Sequence, residues 1–339
     1  MTRAINFSAG PATLPLPALE YAHEEFLDHE GTGMSLIEHS HRGAAYAKVH
    51  EEAKSLFREL MNVPDTHEVL FMQGGATAQF ALVPMNLLGK GQSADYINTG
   101  AWSDKAMAEA LILGQAREAG TGKVDGKYTR VPKQSELELD PSAAYAHFTS
   151  NNTIMGTQFH QYPDSGDVPL VADMSSDILW RPIDVSKFGL IYAGAQKNLG
   201  PAGVTILILR KDLAERSPSS IPKIFRYKTI LDGDSLQNTI PTFAVYMVRN
   251  VLRWVRDQGG APAMEKRNRA KAGAIYGMID ENPDFFHCPV EVESRSMMNP
   301  VFRLPSEDLE KKLIAEAAEA GMVGIKGCLL YTSPSPRDL

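Results

Sequence analysis

Short apolar runs alternate with turns and helical stretches along most of this chain, and that rhythm narrows its possible folds more than any other feature. Glu68-Val69-Leu70-Phe71-Met72 leads into Gly74-Gly75 and a helical stretch at 76–80. Ala94-Asp95-Tyr96-Ile97-Asn98 leads into Gly100 and a helical stretch at 103–114. The runs at 144–148, 169–173, 190–193 and 204–209 are further candidates for buried strands. Strands interleaved with helices predict an α/β domain with a largely parallel sheet. Before them, residues 1–15 carry too much Gly and Pro for a helix and read as an extended arm. Residues 16–29 and 43–61 have helical spacing, with Val49, Ala53, Leu56 and Leu60 on one face of the second.

After the last of these strands, residues 241–257 read as a long closing helix and Gly259-Gly260 as a joint. A helical stretch near 263–280, a strand at Pro300–Leu304 and a helix capped by Ser306 follow. That helix has Leu309, Leu313, Ala317 and Ala320 along one face and ends at Gly321; Met322–Lys326 reads as another strand. The expected division is a large α/β domain over 16–258. A smaller α+β domain is expected from 1–15 and 259–339.

At 339 residues the chain exceeds one ordinary core, which agrees with two domains. Its 43% hydrophobic and 22% charged residues are those of a globular protein, and its net charge of −7 argues against a dedicated nucleic-acid binder. Cys288 and Cys328 have no metal-ligand spacing, so neither a disulfide nor a metal site is expected. The opening residues lack a signal-peptide apolar core and no run is long enough to span a membrane, so the default expectation is cytoplasmic.

The chemistry concentrates at 170–203. An apolar strand ends in Asp173, placing a carboxylate at the C-terminal sheet edge, where ligands bind in such folds. A second strand ends in a small-residue turn, Gly194-Ala195-Gln196-Lys197-Asn198-Leu199-Gly200-Pro201-Ala202-Gly203, that presents one lysine. A lysine so placed can form a Schiff base from its unprotonated fraction. An aspartate can keep a pyridine nitrogen protonated, so that the ring withdraws electrons from a substrate carbanion. Alone, a lysine after a strand is usually a solvated surface residue; the pair says much more.

These segments, with Asn6-Phe7-Ser8-Ala9-Gly10-Pro11-Ala12 and Glu38-His39-Ser40-His41-Arg42, resemble the phosphoserine aminotransferase family, class V enzymes of PLP-transferase fold type I. The resemblance runs from residue 5 to about 327. It implies a mostly parallel seven-stranded sheet, pyridoxal 5′-phosphate (PLP) as cofactor, and amino transfer from glutamate to 3-phosphohydroxypyruvate in serine biosynthesis. Bacterial members also act on a phosphorylated four-carbon analogue in pyridoxine biosynthesis. By the same likeness Lys197 carries the cofactor and Asp173 supports its ring nitrogen, while Trp102 stacks on the ring and Thr153 bonds the phenolic oxygen. Gly75, Ala76 and Thr77 open a helix whose free N–H groups suit the cofactor phosphate, and Gln196 matches a further phosphate ligand. Asn238 and Thr239, in a loop reaching the partner's cofactor phosphate, and His41 with Arg42, meeting substrate across the same interface, imply a homodimer with shared sites. Without the likeness, Gly74-Gly75 is a simple turn, Trp102 core, and His41-Arg42 a solvated face.

The likeness stops after Gly327. Where the family continues His-Arg-Ser-Val-Gly-Gly and then Arg-Ala, residues 328–339 read Cys-Leu-Leu-Tyr-Thr-Ser-Pro-Ser-Pro-Arg-Asp-Leu, a stretch foreign to the family and suited to neither helix nor central strand. The substrate-anion clamp expected there is not matched, which keeps open a rival expectation: a PLP-binding protein with little turnover. A different class V enzyme is the other rival. A cysteine desulfurase is disfavoured because Cys288 and Cys328 are poorly placed for a nucleophile on a mobile loop.

Overall fold

A computed structural model describes residues 3–327. The elements that matter for the site are, in chain order, strand β1 (Ile5–Asn6) and helices α1 (Leu16–Glu24) and α2 (Ala44–Met61). Strand β2 (His67–Met72), helix α3 (Gly75–Leu87), strand β3 (Ser93–Asn98), helix α4 (Ala101–Leu113) and strand β4 (Gln115–Thr121) follow. Then come β5 (Ala146–Thr149), β6 (Leu170–Asp173), β7 (Leu190–Gly194) and β8 (Thr205–Arg210). Helices α5 (Thr242–Asp257), α6 (Gly260–Glu281) and α7 (Glu307–Glu319) and strand β9 (Met322–Val323) close the described chain.

Seven strands form one sheet in the order β2-β8-β7-β6-β5-β3-β4. Only β8 runs against its neighbours; the other pairings are parallel. Side chains alternate across the pleat, so each apolar run feeds two cores. Val69, Phe71, Ile191, Ile206 and Ile208 pack on one face beneath α2 and α5. Leu70, Met72, Leu190, Tyr192, Leu207 and Leu209 pack on the other, against α3. Because both faces are covered, these strands are continuously apolar.

The differences from expectation have local causes. Strand β4 has no apolar run, because it sits at the sheet edge and its residues are mostly half-exposed. Helix α1 stops at Glu24 rather than 29, and the chain turns through Glu30 and Gly31, both at positive φ. Pro300–Leu304 forms no continuous strand among the described residues. An antiparallel bridge joins Arg303 to His287, with both backbone N–H groups donating across it. The next hydrogen-bonded pairs would need N–H groups from Pro289 and Pro305, which have none, so the ladder cannot propagate. The last run forms a strand only over Met322–Val323, pairing parallel with Ile5–Asn6 of the arm. Helix α6 begins at Gly260 itself, where Gly259 and Gly260 both take positive φ. Ser306 caps α7 as read, its hydroxyl accepting from Leu309 N at 3.3 Å, although Ala320 is exposed. A separate small cluster, Ala272, Tyr276, Ile279, Phe302 and Leu304, packs between α6 and this segment. The foreign-looking residues 328–339, on which the expectation of a lost anion clamp rests, lie outside the described residues. No helix among the described residues is long and apolar enough to cross a membrane.

Candidate active site

Parallel pairing of β6 with β7 sets Asp173 opposite Tyr192, so the turn after β7 opens at the same sheet edge as the end of β6. There Asp173, Lys197, Trp102, Gln196 and the Gly74–Thr77 segment line a cavity of about 400 Å³.

Lys197 Nζ donates to Thr153 Oγ1 at 2.5 Å and lies 4.7 Å from the centroid of the Trp102 ring. Burial lowers the lysine's affinity for its proton, opposed by the charges of Asp173 and Asp177. Asp173 is buried, and burial raises its carboxyl pKa; the charge of Lys197 and two bonds from Ser175 work the other way. Those bonds reach Oδ1 from the Ser175 backbone N–H at 2.9 Å and from its hydroxyl at 2.6 Å. Thr153 is held through its neighbours. Asn152 Nδ2 donates to Thr99 Oγ1, its Oδ1 accepts from Trp102 N, and a Cβ at Gly100 would stand 2.5 Å from that Oδ1. Gly100 therefore lets Asn152 approach the start of α4, which places Trp102 and Thr153 around one lysine.

Helix α3 begins with Gly74 and Gly75 at φ of 100° and 67°, a left-handed pair that L side chains rarely adopt. Its first N–H groups, at 75–77, have no helical acceptor and face a cavity they line. Gln196 lies beside them: a Cβ on Gly194 would meet its Oε1 at 2.8 Å and Ala76 N at 3.4 Å.

Four features bear on whether a flat, phosphate-bearing, cationic-ring cofactor suits this cavity. A buried carboxylate calls for a cation, and an indole face lies beside an amine of lowered basicity. Helix N–H groups are free for an anion, and Trp102 Nε1 is buried with no hydrogen-bond partner among the described residues. The donor set fits.

The remaining predicted residues sit elsewhere. Asn238, Thr239, His41 and Arg42 do not line this chain's cavity. Arg42 Nη2 donates to the carbonyl of Leu236 at 3.2 Å, so the His41-Arg42 segment and the 236–239 loop lie together on one surface. His41 Nε2, Gln237 Oε1 and Asn238 Oδ1 are buried there without hydrogen-bond partners among the described residues.

Three residues of the site carry no role that the sequence assigns. Ser175 is one. Asp177 is another, fully enclosed, accepting from Gln158 Nε2 at 3.0 Å and from the Ser150 hydroxyl; burial pushes its pKa up to about 6. Gly10 is the third, its backbone lying against the Lys197 stem. Gly10 lies within the Asn6–Ala12 motif and Ser175 two residues after Asp173, but nothing local in sequence pairs them with their contacts.

The aminotransferase class-V family model matches residues 4–325. The phosphoserine aminotransferase of Desulfatibacillum aliphaticivorans is 54% identical over 96% of this chain and 90% of its own. The solved structure of phosphoserine aminotransferase from Bacillus circulans subsp. alkalophilus superposes with a TM-score of 0.94 at 50% identity, covering 96% of this chain and 90% of that one. A PLP-bound phosphoserine aminotransferase from Trichomonas vaginalis matches at a TM-score of 0.89 and 37% identity, over 94% of this chain and 90% of that one. The chain therefore has the type I PLP-transferase fold and belongs to the class V aminotransferases, in the phosphoserine aminotransferase family.

Proposed function

We infer that this protein transfers the amino group of L-glutamate to 3-phosphohydroxypyruvate with PLP as cofactor, giving 2-oxoglutarate and O-phosphoserine for serine biosynthesis. One observation carries the reading: a buried lysine, held between a threonine hydroxyl and an indole face, shares a cavity with a buried aspartate and a free helix N-terminus.

Bound there, PLP would supply an aldehyde that condenses with amines and a ring that draws electrons from the substrate Cα. Lys197 would hold its aldehyde carbon, and Asp173 would keep a proton on the ring nitrogen. Gly75, Ala76, Thr77 and Gln196 would hold the phosphate, with Trp102 on the ring face and Thr153 on the phenolic oxygen. Burial leaves Lys197 more readily unprotonated than a surface lysine, as a nucleophile and base requires. Once free, Nζ would take the proton from the substrate Cα and deliver it, as an acid, to the carbon that had held the lysine. Ser175, bonded to Oδ1, keeps Asp173 charged and aimed.

A homodimer completes this reading. Arg42 is bonded to the carbonyl preceding the Gln237-Asn238-Thr239 segment, so the two segments assigned to a partner's site lie side by side. The large domain over 16–258, the small domain from the arm and the segment after 259, and a cytoplasmic location belong to the same proposal. The test is product formation from glutamate and 3-phosphohydroxypyruvate, with glyoxylate as the competing acceptor. O-phosphoserine should dominate; preferential use of glyoxylate overturns the substrate assignment.

A further inference from the structure

The arm at residues 5–13 has no role in the mechanism above, yet it is held at several points. Ile5 and Asn6 pair with Met322 and Val323. Asn6 Oδ1 accepts from Ser8 N at 2.9 Å, and the Thr13 hydroxyl donates to the Asn6 carbonyl at 2.8 Å. Farther along, Ala12 N donates at 2.8 Å to the carbonyl of Gln196, the residue just before Lys197. Between these fixed points Gly10 runs along the lysine. A Cβ built on Gly10 would lie 3.0 Å from Lys197 Cγ, 3.8 Å from Cδ and 3.7 Å from Cε. Carbon atoms at rest sit about 3.5–4.0 Å apart, so no larger residue fits without moving the stem. Gly10 also lines the 400 Å³ cavity beside Lys197, while Asn6–Ala9, Ala12 and Thr13 line a larger cavity of about 790 Å³ that Lys197 also borders.

We propose that Gly10 is a positioning residue for Lys197: the arm, fixed at both ends, walls the lysine stem so that Nζ stays beside Thr153 and over Trp102. The proposal rests on the reading of Lys197 as the lysine that carries PLP. An alanine at position 10 would displace the stem, and with it Nζ, while its nearest atoms all belong to Lys197 and not to the groups assigned to the phosphate or ring nitrogen.

That separation gives the test, run on the full chain as apoprotein. Lys197 and the PLP aldehyde join with loss of one water; borohydride then delivers hydride to the C=N carbon, and solvent protonates the nitrogen, leaving a stable secondary amine. Pyridoxamine 5′-phosphate has no aldehyde and needs no lysine. Gly10→Ala should lower the rate of trappable adduct formation about five- to tenfold, because small misplacements of a reacting group cost that much. Pyridoxamine 5′-phosphate affinity should stay within about twofold of wild type, the loss of one weak contact at most. Thr13→Val adds no atom at the lysine and removes one of the arm's clamps; it should slow the adduct about two- to threefold. It decides the matter alone if Gly10→Ala fails to fold. A wild-type adduct rate in the folded variants overturns the proposal, and so does an equal loss of pyridoxamine 5′-phosphate binding, which would make the arm simple packing. An adduct on a lysine other than Lys197 would instead remove the reading on which the proposal rests.

Discussion

Ser175 ties Asp173 to the neighbouring strand: its hydroxyl donates to Asp173 Oδ1 at 2.6 Å and accepts from Gly194 N at 3.0 Å. One serine thus fixes the carboxylate and the end of the strand that leads to Lys197, so the distance between acid and amine is set by backbone. Ser175→Ala keeps the backbone bond to Oδ1 but removes the hydroxyl. The lost charge-assisted bond is worth about 1.5–3 kcal/mol. Single-turnover deamination of glutamate should slow at least tenfold with cofactor still bound; an unchanged rate would place Ser175 outside the chemistry.

Asp173→Asn is the sharper version. An amide cannot hold a proton on a ring nitrogen, so losing this electrostatic partner should cost roughly 3 kcal/mol, a few hundred-fold in the proton-transfer step. Cofactor binding should survive, since the helix N-terminus and Trp102 are untouched. Stopped-flow traces with glutamate read the step directly. Near-normal rates would mean that another group partners the ring.

Lys197→Ala should abolish the borohydride-stable adduct, because Lys197 is the lysine that lines the cavity and donates to Thr153; Lys105, which also lies over the Trp102 ring at 5.2 Å, does not line it. Mass spectrometry of the trapped wild-type protein should place the adduct on the peptide holding Lys197.

How much of this could be read from residue order follows from what each feature depends on. Asp173 and Lys197 were legible because both close apolar strands, and parallel neighbours in a sheet deliver their ends to one edge. Asn238, Thr239, His41 and Arg42 lie away from this chain's own cavity, and motif likeness alone assigns them to a shared site. Ser175 and Gly10 escaped because their partners, Gly194 and the Lys197 stem, are reached only through folding. Strand β4 escaped because an edge strand needs no apolar run. Pro300–Leu304 misled because its composition is strand-like, while the prolines that stop the ladder include one on the facing segment.

If the sites are shared, two inactive dimers should repair each other. In a mixed dimer of Lys197→Ala with Asn238→Ala, Thr239→Ala, one site has an intact lysine facing an intact loop and the other has neither. Each mixed dimer should show about half the wild-type activity, one site of two, with heterodimers counted by differential tags. Confirmed heterodimers without activity would argue that each chain works alone.

Asp177 gives a prediction about stability rather than rate. It is buried, and its folded pKa is raised to about 6, with burial the chief cause and the charge of Asp173 adding to it. An unfolded aspartate titrates near 3.8. The folded chain therefore holds a proton that the unfolded chain has already released, and stability falls as pH rises from about 4 to about 6, then levels off. A shift of this size corresponds to roughly 2–3 kcal/mol. Asp177→Asn cannot ionise and removes that dependence, at the fixed cost of one acceptor to Ser150 or Gln158. The variant should thus gain on the wild type between pH 4 and pH 7, even if it is the less stable of the two at pH 4. Urea unfolding of both apoproteins at those two pH values measures the difference. A constant gap would show that Asp177 is ionised across the whole range, its charge already satisfied by Ser150 and Gln158.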